Sequence, residues 1–145
     1  MRIIIPFKII KISDESYHLI MKMSINGKAA KVVLDTGASH SAFDIKKTKK
    51  FNIVKPTKRV SSTSGLGTNT MDSHHTIFKK IRIGELEIIN YHAVLLDLSH
   101  VNQSYASINL PEVDGVLGSD ILVEYNAIID YEKKVLKLKI KKPKK

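Results

Sequence analysis

A predicted β-hairpin that ends in an aspartate constrains the fold of this chain more than any other feature of its sequence. Residues 17–25 partly alternate between apolar and polar side chains, as expected of a strand with one buried face. Asn26-Gly27 follows, and this dipeptide is typical of a tight hairpin turn. The return strand, 28–34, ends in three apolar residues and leads directly into Asp35. Strand, turn, strand and acid therefore form one supersecondary unit.

The residues after this strand are suited to holding a carboxylate close to a ligand. Asp35 lies where the strand ends, Thr36 can form a local hydrogen bond, and Gly37 permits a sharp turn. Ala38 and Ser39 keep the turn small, so a ligand can approach the carboxylate closely. The same residues also suit an ordinary turn at the end of a strand, and this stretch alone leaves both interpretations open.

A second apolar strand that ends in a glycine lies far downstream. Val116 and Leu117 are predicted to form a very short buried strand, and Gly118 ends it. Ser119 is a candidate N-cap for a short helix over residues 120–125. An acidic residue in the first turn of that helix is favourable.

Two polar segments are predicted to be loops. Segment 61–70 lies in the sequence between Asp35 and the strand of Val116 and Leu117. It contains Gly65, Leu66 and Gly67. Its composition is that of a surface loop, and it also fits a mobile hairpin whose one apolar residue folds over a ligand. Segment 99–112 is polar and contains a proline, and it is predicted to have no regular structure.

The whole pattern is that of a small, mostly β domain. About eight short strands alternate with turns, together with one or two brief helices, and this pattern favours a closed or partly closed barrel. One of the strands, 74–83, offers Ile77, Ile81 and Ile83 as candidate inward residues. With 145 residues the chain is predicted to be one domain over 1–140, followed by a basic tail over 141–145.

Charge and composition argue against a specific nucleic-acid-binding function. The net charge is +10, but the basic residues are mostly scattered, as on a solvated surface. Only 6% of the residues are aromatic and none of them interleaves with the basic run at the carboxyl end. A base-stacking platform is therefore unsupported, and no specific nucleic-acid partner is expected.

The expected location and cofactor content follow from what the sequence lacks. It has no apolar run near 18 residues and no secretory signal, so no membrane association is expected and the cytoplasm is the default location. It has no cysteine, which excludes disulfides, thiolate metal sites and a cysteine nucleophile. His74-His75 has no third ligand at a suggestive spacing, so no metal and no cofactor are expected.

With the residues after these two apolar strands taken together, the chain resembles the retropepsin-like aspartic proteases, in particular their small bacterial members. The family motif is an apolar strand followed by Asp-Thr/Ser-Gly-Ala/Ser, and later two apolar residues and a glycine before a short helix. The matching residues are Asp35-Thr36-Gly37-Ala38-Ser39 and Val116-Leu117-Gly118. Residues 62–70 fall where the family carries its flap.

The resemblance implies a β-barrel of the retropepsin type and an active site shared by two chains. Each chain of this family holds one catalytic aspartate, so the implied enzyme is a C₂ homodimer. Two Asp35 carboxylates would face each other and share one proton, because like charges in contact do not both ionise cheaply. The ionised carboxylate would activate a water while the protonated one donates to the substrate carbonyl, which makes the chain an aspartic endopeptidase.

The resemblance also assigns supporting roles. Thr36 would lock the two catalytic loops together across the dimer, and Gly37 would contribute carbonyl contacts to the substrate. Leu66, between its two glycines, would cover a peptide bound in extended form. Many retroviral members carry arginine directly after the second glycine, where this chain has Ser119-Asp120, so their supporting ion pair is not expected here.

Two rival hypotheses come from other functional classes. The first is a non-catalytic module of the same fold that binds peptides, and a stable monomer in solution would favour it. The second is a basic β-barrel that binds nucleic acid, which predicts a salt-sensitive affinity independent of Asp35.

Overall fold

The structure of the protein is a computed structural model that describes residues 1–53, 56–60 and 72–141. Within these residues the chain forms ten β-strands, two α-helices and one turn of 3-10 helix at Ile45–Lys47. The strands are β1 (Arg2–Ser13), β2 (Ser16–Ile25), β3 (Lys28–Leu34), β4 (Ala42–Asp44), β5 (Thr57–Val60), β6 (Asp72–Ile83), β7 (Leu86–Leu96), β8 (Gly115–Leu117), β9 (Ile128–Asp130) and β10 (Val135–Lys139). The helices are α1 (Ser99–Ser107) and α2 (Ser119–Glu124).

Six strands close into a barrel in the order β2-β3-β8-β4-β7-β6. Closure occurs where β6 pairs back onto β2, with Ser24 opposite Arg82 and Ile25 opposite Ile81. The pairs β3–β8 and β4–β7 are parallel, and the other neighbouring pairs of the barrel are antiparallel. The prediction of a mostly β protein with a closed barrel and few helices is confirmed.

The predicted hairpin forms as expected and supplies much of the barrel interior. Leu19, Met21, Met23 and Ile25 of β2 are all buried, which confirms the predicted face of this strand. Their side chains belong to one large apolar cluster that also contains residues from β1, β3, β6, β7 and β10. This continuous core fixes the position at which β3 ends.

Strand β6 departs from the predicted alternation. Ile81 and Ile83 are buried as predicted, but Ile77 is 45% exposed and its neighbour Phe78 is buried instead. The alternation shifts by one residue where β6 passes Asn90 of β7, whose φ is +54°. A residue in the left-handed region interrupts the pleat of a strand, which reverses the faces on either side of it.

Strand β1 has two partners along its length. Its first half, up to Pro6, pairs with β10, whereas the half from Phe7 onward pairs with β2. The change occurs beside a proline, which lacks a backbone N–H and therefore fits the end of a ladder better than its middle. Through this strand the barrel is extended by β10 and β9.

Helix α1 corrects the prediction that segment 99–112 is a loop without regular structure. Its residue Tyr105 packs with Ile20, Val33 and Val113 in a second, smaller apolar cluster outside the barrel. Asn102 is buried and exchanges two hydrogen bonds with the backbone of Val113, its Oδ1 accepting at 2.7 Å and its Nδ2 donating at 3.1 Å. These tertiary contacts stabilise a helix whose polar composition alone does not predict one.

The helices of the described residues are short. None of them is long and apolar enough to span a lipid bilayer.

Candidate active site

Two parallel strands bring the predicted motifs to one edge of the barrel. β3 and β8 are hydrogen-bonded neighbours, with Leu34 directly opposite Leu117. Because parallel strands end at the same edge, the residues that follow them, Asp35 and Gly118, also lie side by side. The Asp35 N–H donates to the Leu117 carbonyl at 3.0 Å and continues the ladder by one bond.

The loop after β3 holds the Asp35 carboxylate in an exposed position. The Gly37 N–H donates to Asp35 Oδ1 at 2.9 Å, and the Ala38 N–H donates to the Asp35 carbonyl at 3.2 Å. A Cβ at position 37 would lie only 3.2 Å from the same Oδ1, so glycine allows this close approach. The second carboxylate oxygen receives no hydrogen bond from the described residues, and the Asp35 side chain is exposed.

The loop after β8 packs directly against the aspartate loop. The Ser119 N–H donates to the Ala38 carbonyl at 2.8 Å, and its hydroxyl donates to the Ser39 carbonyl at 3.1 Å. A Cβ at Gly118 would lie 2.7 Å from the Ala38 carbonyl oxygen, closer than real Cβ contacts come. The predicted N-cap role of Ser119 is wrong: Gly118 is the N-cap of α2, and Ser119 binds the aspartate loop instead.

A polar cluster beneath the two loops was missed by the sequence analysis. Ser41 is fully buried, and its backbone N–H and its hydroxyl both donate to Asp120 Oδ1, at 2.8 and 2.7 Å. The Ser41 hydroxyl also accepts from the Gly118 N–H at 2.8 Å. Tyr91 of β7 donates its hydroxyl to Asp120 Oδ2 at 2.6 Å. Asp120 therefore connects α2, the aspartate loop and β7.

The charge of Asp120 is stabilised by these donors. Burial alone would raise the pKa of this carboxyl, but the hydrogen bonds from Tyr91 and Ser41 outweigh it and hold the pKa below its usual value. The pKa of the Tyr91 hydroxyl is raised, first by burial and then by its hydrogen bond to the carboxylate. His40 Nε2 lies 3.5 Å from Asp120 Oδ2 at the edge of the cluster. The sequence indicated an acid in the first turn of α2, but it gave no signal for the residues that hydrogen-bond to this acid.

A cavity of about 320 Å³ opens beside Asp35 and Thr36. Val33 and Val116, from the two parallel strands, form part of its wall. Helix α1 contributes Val101 and Tyr105 on another side. The helix that the sequence analysis missed therefore shapes the space next to the carboxylate.

The structure brings together most of the predicted site residues. Thr36 lines the cavity, Val116 lines it from β8, and Leu117 is buried behind the loop. The predicted flap, with Gly65, Leu66 and Gly67, lies outside the described residues. Its flanking strands are described: β5 and β6 pair antiparallel, with position 60 opposite position 72.

The aspartate loop presents one exposed carboxylate, that of Asp35. One carboxylate cannot act as base and acid in the same step, so concerted acid–base chemistry at this loop needs a second group that transfers a proton. In the part of the chain that the structure describes, no three His, Asp or Glu side chains group as metal ligands would.

Comparison with solved structures shows the same fold. The chain is similar to a retropepsin-like aspartic protease from Rickettsia conorii, with 21% identity and a TM-score of 0.58, covering 95% of this chain and 89% of the other. It is also similar to the retroviral protease-like domain of Ddi1 from Leishmania major, with 14% identity and a TM-score of 0.54, covering 83% and 87%. None of the curated proteins matches the chain by sequence.

A family model gives the assignment by sequence. The model described as "Aspartyl protease" matches residues 21–121, from the middle of β2 to the first turn of α2. Both motif loops, the barrel strands between them and α1 lie within this range. Since the match covers well over half of the chain and includes both loops, this protein belongs to the aspartyl protease family.

Proposed function

We propose that this protein is a homodimeric aspartic endopeptidase. The observation that carries the proposal is the geometry of Asp35: an exposed carboxylate at the end of a core strand, with one oxygen held by the Gly37 N–H and the other open. A carboxylate fixed in this way is oriented before substrate arrives, which is a requirement of efficient catalysis. Membership of the aspartyl protease family supports the same activity.

The second carboxyl group comes from a second copy of the chain. The sequence contains Asp-Thr-Gly once, at Asp35-Thr36-Gly37, so two chains related by a two-fold axis are needed to pair two of these aspartates. Two carboxyl groups in contact share one proton. The ionised group takes a proton from a water, the protonated group donates to the peptide carbonyl, and the water oxygen attacks the carbonyl carbon. No covalent intermediate with the protein forms.

The neighbouring residues take supporting roles in this proposal. Thr36 holds the two aspartate loops together across the dimer, and Gly37, Ala38 and Ser39 contact the substrate backbone, which binds extended. Residues 62–70 act as the flap. The position of this segment between the paired strands β5 and β6 supports the assignment. The single domain over 1–140, its tail over 141–145 and a cytoplasmic location stay predictions.

The test compares the native protein with Asp35→Asn on a complex peptide mixture from acid to neutral pH, with products read by mass spectrometry. Asparagine keeps the oxygen that accepts from the Gly37 N–H but cannot act as acid or base. We expect cleavage by the native chain to fall by at least about 10²-fold in the variant. Asp14→Asn, at a fully exposed carboxylate, is the matched control and should cleave normally.

Sedimentation of the same samples tests the dimer. Native protein at twice the chain mass of 16.3 kDa is expected under the conditions in which it cleaves. Equal products from native and Asp35→Asn protein would contradict the aspartic mechanism. A stable monomer that binds peptides without cleaving them would identify a binding module, an alternative that the likeness to the Ddi1 domain leaves open.

A further inference from the structure

The cavity beside Asp35 has a histidine, His18, and several aromatic rings among its lining residues. We propose that it binds a tyrosine side chain of the substrate, at the residue adjoining the cleaved bond, and that His18 recognises the tyrosine hydroxyl. This inference rests on the proposed function, because it treats the cavity as part of the same peptide-binding site.

The location of the cavity determines which substrate residue enters it. Asp35 and Thr36 are among its lining residues, so a side chain in the cavity belongs to a residue next to the carbonyl that the carboxylates act on. At about 320 Å³ the space is large enough for one aromatic side chain. A cavity of this size holds the side chain of a single residue of a bound peptide.

The walls favour an aromatic ring. Leu19, Val33 and Val116 provide buried or half-buried apolar surface. The rings of Tyr17 and Tyr131 also line the cavity and are 56% and 62% exposed. Exposed rings of this kind lose water and gain edge or offset contacts when a further ring packs between or beside them.

The polar group of the cavity is the imidazole of His18, which is hydrogen-bonded to Tyr105. His18 Nδ1 and the Tyr105 hydroxyl are 2.7 Å apart, and the two ring centroids are 5.7 Å apart. Tyr105 is only 2% exposed, so the helix anchors the imidazole from behind. His18 itself is exposed, and none of the described residues hydrogen-bonds to its Nε2.

The free nitrogen favours a hydroxyl over other groups. His18 Nε2 is a donor or an acceptor depending on the tautomer, and a phenol hydroxyl pairs with it in either case. Phenylalanine in the same place would cover this nitrogen without a hydrogen bond, which costs affinity. An acidic side chain would place a second negative charge beside Asp35. Tyrosine satisfies both the apolar walls and the polar end.

The first experiment measures selectivity in cleavage. A proteome digested with an unrelated protease serves as the peptide library, and the frequencies of tyrosine and phenylalanine beside each cleaved bond are compared with those in the library. We expect a tyrosine preference of about fivefold to tenfold in the native protein. In His18→Leu this ratio should fall to about one, whereas His92→Leu, the same change at an exposed site of β7 outside the cavity, should keep it.

A second experiment separates this inference from the proposed function. The peptides acetyl-Ala-Ala-Tyr-Ala-Ala-amide and its phenylalanine counterpart are titrated into Asp35→Asn protein, and the resonances of residues lining the cavity are followed by NMR. Tighter binding of the tyrosine peptide, lost in Asp35→Asn/His18→Leu, supports the inference even if the native chain cleaves nothing. Equal binding of the two peptides, binding of neither, or a preference that survives the loss of His18 overturns it, whether or not the protein is a protease.

Discussion

Ser41 donates both its backbone N–H and its hydroxyl to the same carboxylate oxygen of Asp120, at 2.8 and 2.7 Å. The serine lies in the segment that leaves the aspartate loop, and the acid lies in the helix after Gly118. The residue between Gly118 and this acid is the uncharged Ser119. A hydrogen-bond network thus joins the two loops without an arginine ion pair.

Replacing Ser41 with alanine should destabilise the protein. The change removes one of the two Ser41 donors to Asp120 Oδ1 and the acceptor of the Gly118 N–H, so this buried N–H loses its partner. We expect the free energy of unfolding in urea to fall by about 1–3 kcal/mol. Ser39→Ala, at an exposed serine two residues away, should change it by less than about 0.5 kcal/mol. A loss in Ser41→Ala no larger than that in Ser39→Ala would contradict a stabilising role of the Ser41 hydroxyl.

The lowered pKa of Asp120 predicts a loss of stability in acid. A carboxyl whose pKa is lower in the folded state stabilises the fold above its unfolded pKa of about 3.9, and the contribution is lost as the pH falls through the folded value. The unfolding free energy of native protein should therefore fall more steeply below about pH 4 than that of Asp120→Asn. Chemical denaturation at several pH values measures both curves. A curve of Asp120→Asn that runs parallel to the native one would refute the assignment.

Substitution of Gly118 by alanine should move the aspartate loop. The new Cβ would lie 2.7 Å from the Ala38 carbonyl oxygen and 2.9 Å from the His40 carbonyl carbon, and backbone atoms cannot rotate away as a side chain can. We expect peptide cleavage to fall at least about 10²-fold, as for small displacements of catalytic groups. Gly27→Ala is the control, because nothing lies within 4 Å of its Cβ and only its φ of +81° is strained. That variant should lose stability, but its peptide cleavage should stay close to native.

Asn102 should determine whether α1 stays docked. Its amide bonds the Val113 backbone in both directions, so Asn102→Ala leaves a buried N–H and a buried carbonyl unpaired. Amide hydrogen exchange in α1 should become faster by about tenfold or more, which corresponds to more than about 1.4 kcal/mol. Gln103→Ala, at the exposed neighbouring position, should leave exchange rates close to native. Equal rates in the two variants would show that the hydrogen bonds of Asn102 to Val113 do not hold the helix in place.

The hairpin and the two motif strands could be predicted from sequence because their signals are local. Alternation in β2, the Asn26-Gly27 turn and the apolar run before Asp35 each specify structure within a few residues. The position of Gly118 beside the aspartate loop then follows from the parallel pairing of β3 and β8.

The parts that could not be predicted depend on partners distant in sequence. Helix α1 has a polar composition, and its stability comes from Asn102 and Tyr105 meeting residues of other elements. From the sequence, Asp120 is only an acid in the first turn of a helix. The fold brings Ser41 and Tyr91 into hydrogen-bonding distance of it. Exposure of Ile77 follows from the backbone at Asn90, on the partner strand.

The two-partner strand β1 also bears on how the protein reaches its native state during synthesis. Ile3 and Ile5 are each 4% exposed, and their half of β1 pairs with Val135–Lys139. The ribosome makes the second strand of this pair more than a hundred residues after the first. During that interval Ile3 and Ile5 lack their partner strand, while the hairpin of β2 and β3 can already form. Pairing of β1 with β10 is thus a late, long-range step in folding, although β1 precedes every other strand of the sheet in the sequence.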